Sequence, residues 1–191
     1  MLGKMRCFVA VALPAPVRKL LVQVQEALRR ADAHVKWVEE ENLHLSLKFL
    51  GDLDEDAVST LKGALSIEAL QWPAMELTYE GIGTFPERGV PRVVWAGCSG
   101  DLPKLAALAG AVERCAEQVG VPRERHPFAA HLTLGRVKSD RNVKRLLSAI
   151  DNQRRVPLGK DQVREFVLYK STLTDKAPVY ELVAAFPLKV P

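Results

Sequence analysis

Two periods of apolar and polar residues alternate along this chain, and the switches between them mark out its elements. Arg6 to Leu13 is mostly apolar and is stopped by Pro14 and Pro16, which predicts a buried strand over 6–13. Val17, Leu20, Leu21, Val24 and Leu28 then recur at helical spacing, with Arg18, Lys19, Gln23 and Glu26 largely off that stripe, so a helix is predicted over 16–31. A short strand at 35–38 leads into the polar turn Glu39–Asn42, and an alternating strand follows that ends at Gly51. Asp54 is placed to cap a helix over 55–68. Strands are predicted near 74–82 and 92–98, separated by a Gly/Pro-rich loop over 83–91. A second long helix begins at Asp101 or Leu102, runs to about Val119 and is ended by the turn Gly120–Pro122. A second alternating strand spans 130–137, a short basic helix 140–151, and strands near 163–174 and 179–188 close the chain.

Helices and strands alternate irregularly and no G-x-G-x-x-G fingerprint accompanies them, which predicts an α+β fold with mainly antiparallel sheets. Each half holds one long helix and one strand of a particular kind. Residues 44–47 read His-Leu-Ser-Leu and residues 131–134 read His-Leu-Thr-Leu. Side chains alternate across a strand, so His44 and Ser46 share one face, as do His131 and Thr133, while the leucines between them point to a core. The repeated pattern fits an internal duplication. It predicts one domain over 1–191 with two pseudo-symmetric lobes and a site in the cleft between them.

Composition narrows the chemistry only slightly. Lys and Arg number 27 against 23 Asp and Glu, an excess that permits a polyanionic partner without arguing for one. Cys7, Cys98 and Cys115 are odd in number and form no Cys-x-x-Cys, so they are expected as reduced thiols in a cytoplasmic protein. The apolar run after Lys4 and Arg6 suits a first strand better than a signal peptide, and no stretch reaches the length of a membrane span. Monomer is the default expectation.

Two histidines can hold one neutral and one protonated ring at once. The neutral ring takes a proton from a nucleophile and the charged ring gives one to a leaving group. Hydroxyls beside them donate to an anionic oxygen. Such equipment suits displacement at phosphorus without metal or cofactor, and a cyclic phosphodiester above all, because its leaving alcohol stays tethered. A metallohydrolase is disfavoured, since neither motif has an acidic residue at ligand spacing and no His-x-x-x-His occurs. A non-catalytic RNA- or nucleotide-binding module is the remaining class, disfavoured by the presence of both histidines and both hydroxyls.

The sequence resembles the two-histidine (2H) phosphoesterase superfamily, and more closely the RNA 2′,3′-cyclic phosphodiesterases historically called 2′-5′ RNA ligases. The resemblance rests on the paired motifs with their flanks, Val38-Glu-Glu-Glu-Asn-Leu-His-Leu-Ser-Leu-Lys-Phe-Leu-Gly51 and Pro127-Phe-Ala-Ala-His-Leu-Thr-Leu-Gly-Arg136. Arg6-Cys-Phe-Val-Ala-Val11, Gly83-Thr-Phe-Pro86, Pro91-Arg-Val-Val-Trp95, Ser171-Thr-Leu173 and Tyr180-Glu-Leu182 support it, so it covers nearly the whole chain. It implies a bilobal α+β fold and metal-independent opening of the 2′,3′-cyclic phosphate end of an RNA or oligonucleotide to a 2′-phosphate. It implies His44 as general acid, His131 as general base, and Ser46, Thr133 and Arg136 as phosphate contacts. Reverse 2′-5′ ligation, or another cyclic or 2′-5′ linked nucleotide, stays open within the superfamily.

Two positions depart from a simple reading. Ser46 stands where the family more usually has threonine, which keeps the hydroxyl. Strict alternation puts Arg136 on the face opposite His131, so it reaches the site only if the strand ends or twists at Gly135. Lys48 shares the parity of His44 and is expected as a solvated sheet residue, with a cationic contact in the site the sharper alternative. His34 and His126 are expected on exposed connectors, with an RNA-backbone contact the sharper alternative for His126, and Phe85, Trp95 and Phe128 in the core, with base stacking the sharper alternative. Arg141, Lys144, Arg145, Arg154 and Arg155 are expected as a solvated basic face, with an RNA approach surface the sharper alternative.

Overall fold

The computed structural model describes residues 3–189. The apolar run after Arg6 forms β1 (Met5–Ala12), and the helical stripe forms α1 (Ala15–Arg29). Next come β2 (Val35–Trp37), a 3-10 turn (Glu40–Asn42) and β3 (His44–Leu53), which carries the first motif. α2 (Glu55–Ala69) starts where expected, with the Ala57 amide donating to Asp54 Oδ1 at 2.8 Å. β4 (Met75–Phe85) and β5 (Val93–Gly100) precede α3 (Leu102–Glu117). β6 (His131–Val137) carries the second motif, and α4 (Val143–Asp151), β7 (Pro157–Val163), β8 (Glu165–Thr172) and β9 (Val179–Pro187) complete the described chain.

Two local expectations are corrected. The loop expected over 83–91 is strand as far as Phe85, because Gly83, Thr84 and Phe85 pair with Trp95, Val94 and Val93. Gly83 has a packing reason: a Cβ there would lie 2.4 Å from the Trp95 ring. The second correction is β7, which the sequence pattern does not signal. Its Pro157 and Gly159 argue against a central strand, yet β7 lies at the edge of the sheet, pairing with β4, where a proline costs no ladder bond.

The strands form a single antiparallel sheet in the order β7-β4-β5-β6-β3-β1-β8-β9, with β2 added alongside β6. It divides at β6/β3 into two halves with the same local order. β1, α1 and β3 in one half correspond to β5, α3 and β6 in the other. The halves are not separate bodies, because one hydrophobic core runs beneath both and includes Val9, Leu45, Leu132, Leu134 and Leu168. A second, smaller cluster of Phe8, Ala10 and Val167 lies on the opposite face of β1, with Tyr169 and Tyr180 packed against it. That opposite face carries the polar residues of both motifs.

Candidate active site

β3 and β6 are direct neighbours, paired antiparallel at Leu45 and Leu132. Both leucines are fully buried. Alternation then turns the residues on either side of each leucine to the other face. The register sets His44 across from Thr133 and Ser46 across from His131, so four chemically active side chains from two distant segments share one patch.

The two imidazoles are held in the same way. His44 Nδ1 lies 2.7 Å from the Asn42 carbonyl oxygen, and His131 Nδ1 lies 2.8 Å from that of Ala129. A carbonyl only accepts, so each Nδ1 carries a hydrogen and each Nε2 is the nitrogen left for chemistry. His44 Nε2 sits 2.9 Å from Ser46 Oγ and accepts from that hydroxyl when the ring is neutral. Among the described residues, no side chain bonds to His131 Nε2.

Each ring has its own aromatic wall. Phe8 lies 4.8 Å from His44 and Tyr180 stands edge-on to it at 5.5 Å, while Phe85 stands edge-on to His131 at 5.2 Å. Burial among these groups lowers the pKa of His44; the backbone bond to Asn42 opposes that shift and the neighbouring His131 adds to it. Burial likewise raises the Tyr180 phenol against the pull of Arg136 and Arg6, keeping it a hydrogen-bond donor.

The lowered His44 pKa has a consequence for stability. Between the folded value and the unfolded value of about 6.5, the unfolded chain binds the proton more readily. His44 therefore supports the fold above that range, and the support is lost as pH falls through the lowered value. Thermal melts between pH 7 and pH 5 are expected to drop more steeply for the parent than for His44→Gln. Equal slopes would remove His44 as the cause.

β-Bulges decide what else reaches this face. In β3 the register against β1 slips between Ser46 and Lys48, making Leu47 the extra residue. Parity reverses there. Phe49 moves onto the histidine face opposite Phe8 and stays 57% exposed, while Lys48 turns inward. Lys48 is thus not a solvated residue, as expected from its parity. It is buried, 2.9 Å from Glu113 Oε2 and 3.5 Å from Glu124 Oε1, and it donates to the Pro122 carbonyl at 2.8 Å.

The second motif slips at the equivalent position. Thr133 pairs with Trp95 and Gly135 with Val94, so Leu134 is the extra residue. The slip places Arg136 on the face of Thr133 and resolves the conflict that strict alternation created. Gly135 permits it, since a Cβ would meet Val35 at 2.7 Å and Trp37 at 2.9 Å across the β2 pairing. The Leu134 carbonyl accepts from the Val38 amide and from Gln25 Nε2, both at 2.9 Å. Gln25 also donates to the Val38 carbonyl at 2.8 Å and is itself buried. Gln25→Ala is expected to cost about 1–3 kcal/mol in urea unfolding and to raise KM through Arg136. An unchanged KM would detach the bulge from the site.

Two recesses flank the patch and share Ser46 and Phe49 on their walls. One, of about 280 Å³, is bounded by His44, Thr133, Arg136 and Tyr180. The other, of about 610 Å³, is wider and is bounded by His131, His126, Phe128 and Glu113. Asn42 holds the far wall of the first recess by donating to the Pro178 carbonyl at 2.7 Å.

Similarity to known proteins agrees with this geometry. The sequence profile described as LigT like Phosphoesterase matches residues 11–95 and 99–180, one motif in each segment. The chain belongs to the LigT-like phosphoesterase family. The RNA 2′,3′-cyclic phosphodiesterase of Methanocaldococcus jannaschii is 34% identical over 180 residues, covering 94% of this chain and 98% of that protein. The crystal structure of TT0787 of Thermus thermophilus superposes with a TM-score of 0.82 at 30% identity, covering 97% of this chain and 98% of that one. Escherichia coli LigT complexed with 3′-AMP gives a TM-score of 0.75 at 25% identity, over 97% of this chain and 98% of that one.

Phe85 touches His131, and Trp95 pairs with Thr133 and packs on Phe85 at 5.1 Å, so both stand half-buried on the histidine face beside the site and not in the core as expected. His126 and Phe128 border the wider recess, while His34 bonds to Ser139 away from both. Helix α4 lines neither recess. Arg141 is paired with Asp32 at 2.6 Å and Arg154 with Asp151. Among the described residues, no cluster of three or more His, Cys, Asp or Glu is placed to hold a metal ion, and no helix is long and apolar enough to cross a membrane. Sequence reasoning misses Phe8, Asn42, Phe49 and Gln25. Only Phe8 has a usable signal, its place two residues before Ala10 on the same face of a buried strand.

Proposed function

We propose that this protein opens 2′,3′-cyclic phosphate ends of RNA to 2′-phosphate ends, using the histidine pair and no metal. The observation that carries this is the matched anchoring of His44 and His131 through Nδ1 on adjacent strands, with Nε2 of each turned to the shared face. His131 borders the wider recess, through which water arrives, and acts as general base. Its Nε2 takes the proton as the water oxygen forms its bond to phosphorus. The P–O3′ bond breaks on the opposite side, and protonated His44 gives the Nε2 proton to O3′. Charge developing on the nonbridging oxygens is met by the hydroxyls of Ser46 and Thr133 and by the Arg136 guanidinium. One water is consumed, the proton on the pair has changed rings, and exchange with solvent restores the starting state.

Burial of His44 opposes its protonation in the empty cleft. An anionic phosphate seated beside it favours the charged ring, so substrate itself arms the acid. Phe49 offers an exposed ring at the mouth of both recesses, suited to stacking on a base. The shared order of β1-α1-β3 and β5-α3-β6 supports reading the two halves as products of an internal duplication.

The test is incubation of a cyclic-phosphate-ended oligoribonucleotide with the parent protein in chelator. A product that comigrates with a 2′-phosphate standard supports the reading. A 3′-phosphate product, or turnover abolished by chelator, would contradict it.

A further inference from the structure

Resting on that reading, we propose that Lys36, Arg136 and Lys138 form a track for the backbone phosphates of nucleotides lying 5′ of the cyclic end, so that the protein selects oligonucleotides over mononucleotides.

All three side chains line the recess that holds His44. Lys36 and Arg136 are cross-strand partners in the β2–β6 pairing, and Lys138 lies two residues beyond Arg136 on the same face. All three are exposed, and among the described residues none is paired with a carboxylate. By contrast Lys48, Lys104, Arg123, Arg141 and Lys170 each have at least one. Glu39 is the one carboxylate among the residues lining this recess, against three cations. A cyclic phosphate carries a single negative charge, which Arg136 alone can match. Lys36 and Lys138 are therefore in excess of what the reacting group requires.

The direction of attack says where the rest of the RNA lies. Water approaches from the His131 side, and O3′ departs toward His44. O3′ belongs to the terminal nucleoside, so that nucleoside sits on the His44 side. The chain can continue from it only through its 5′ oxygen. The next phosphates therefore leave along the recess where the lysines stand. A row of cations on paired strands beside an exposed aromatic ring is the arrangement by which proteins follow a single strand without reading its sequence.

The test compares three substrates with one terminal nucleoside: its 2′,3′-cyclic phosphate, the same with a 5′-triphosphate, and a pentanucleotide with that cyclic end. Parent and the K36A/K138A variant are assayed across a salt series. The parent is expected to favour the pentanucleotide by about tenfold or more in kcat/KM at 0.1 M salt, chiefly through KM. The variant is expected to lose most of that preference while turning over the simple mononucleotide within about twofold of the parent. The slope of log kcat/KM against log salt on the pentanucleotide is expected to fall by about 1.4 units, for two phosphate contacts on a single strand.

An equal loss on all three substrates, or a preserved length preference, would overturn the track. So would a 5′-triphosphate mononucleotide that matches the pentanucleotide, since charge rather than chain would then be read. Fluorescence anisotropy with a 2′-phosphate-ended pentanucleotide separates the inference from the reaction it rests on. Weaker binding by the variant supports the track even where the parent shows no turnover, and unchanged binding overturns it.

Discussion

Alanine at position 131 is expected to lower kcat on a cyclic-phosphate-ended RNA by about 10³-fold, within the range that general acid–base groups supply. His44→Ala is expected to lose a similar factor. The two losses differ in kind, and the leaving group reveals the difference. A phosphodiester whose leaving group is p-nitrophenolate needs no proton on departure. On that substrate His44→Ala is expected to recover most of the parent rate, whereas His131→Ala stays impaired because water still has to be deprotonated. Recovery by His131→Ala instead would exchange the two roles. The structure favours the first outcome, since His131 opens to the wide recess and His44 is enclosed by Phe8 and Tyr180.

The largest expected effect on stability is at Lys48. Its ammonium is buried with Glu113 at 2.9 Å and caps the Pro122 carbonyl, joining β3 to α3 and to the segment that leads toward His131. Removing one partner of a buried pair leaves the other desolvated. Glu113 keeps some contact with water, which places the cost of Lys48→Met near the lower end of the usual range, about 3 kcal/mol. Urea unfolding measures it. Pairing that change with Glu113→Leu is expected to restore a good part of the loss, because no uncompensated charge remains. A double variant as unstable as the sum of the singles would mean that packing, not charge, is what Lys48 contributes.

Much of this architecture is legible from periodicity. The leucines of the two motifs alternate with histidine and hydroxyl, and that alone sorts Leu45 and Leu132 to the core and His44 and His131 to the opposite face. Proline and aspartate mark the helix starts at α1 and α2. What periodicity does not carry is a change of phase. Leu47 and Leu134 each insert one residue and reverse the residues that follow, in β3 only as far as Phe49, since a second slip at Leu50 restores the phase. Lys48 therefore looks solvated and is buried, Phe49 is carried onto the exposed histidine face, and Arg136 looks misplaced and lines the recess beside His44.

The other illegible features are long-range. Asn42 holds Pro178, and Gln25 holds both Val38 and Leu134. Such bonds depend on which segments meet, and no local pattern announces them. The edge position of β7, which excuses its proline and glycine, is likewise a property of the whole sheet.

In the proposed reaction His44 and His131 act as one device across the β3–β6 pairing. Single-turnover hydrolysis of a cyclic-phosphate-ended RNA, in chelator, by the parent, His44→Ala, His131→Ala and the double variant tests this. Groups that serve one transition state lose their effect together, so the double variant is expected to be no slower than the slower single variant by more than a few-fold. Losses that multiply, or a parent-like rate in either single variant, would show that the two histidines do not share a reaction.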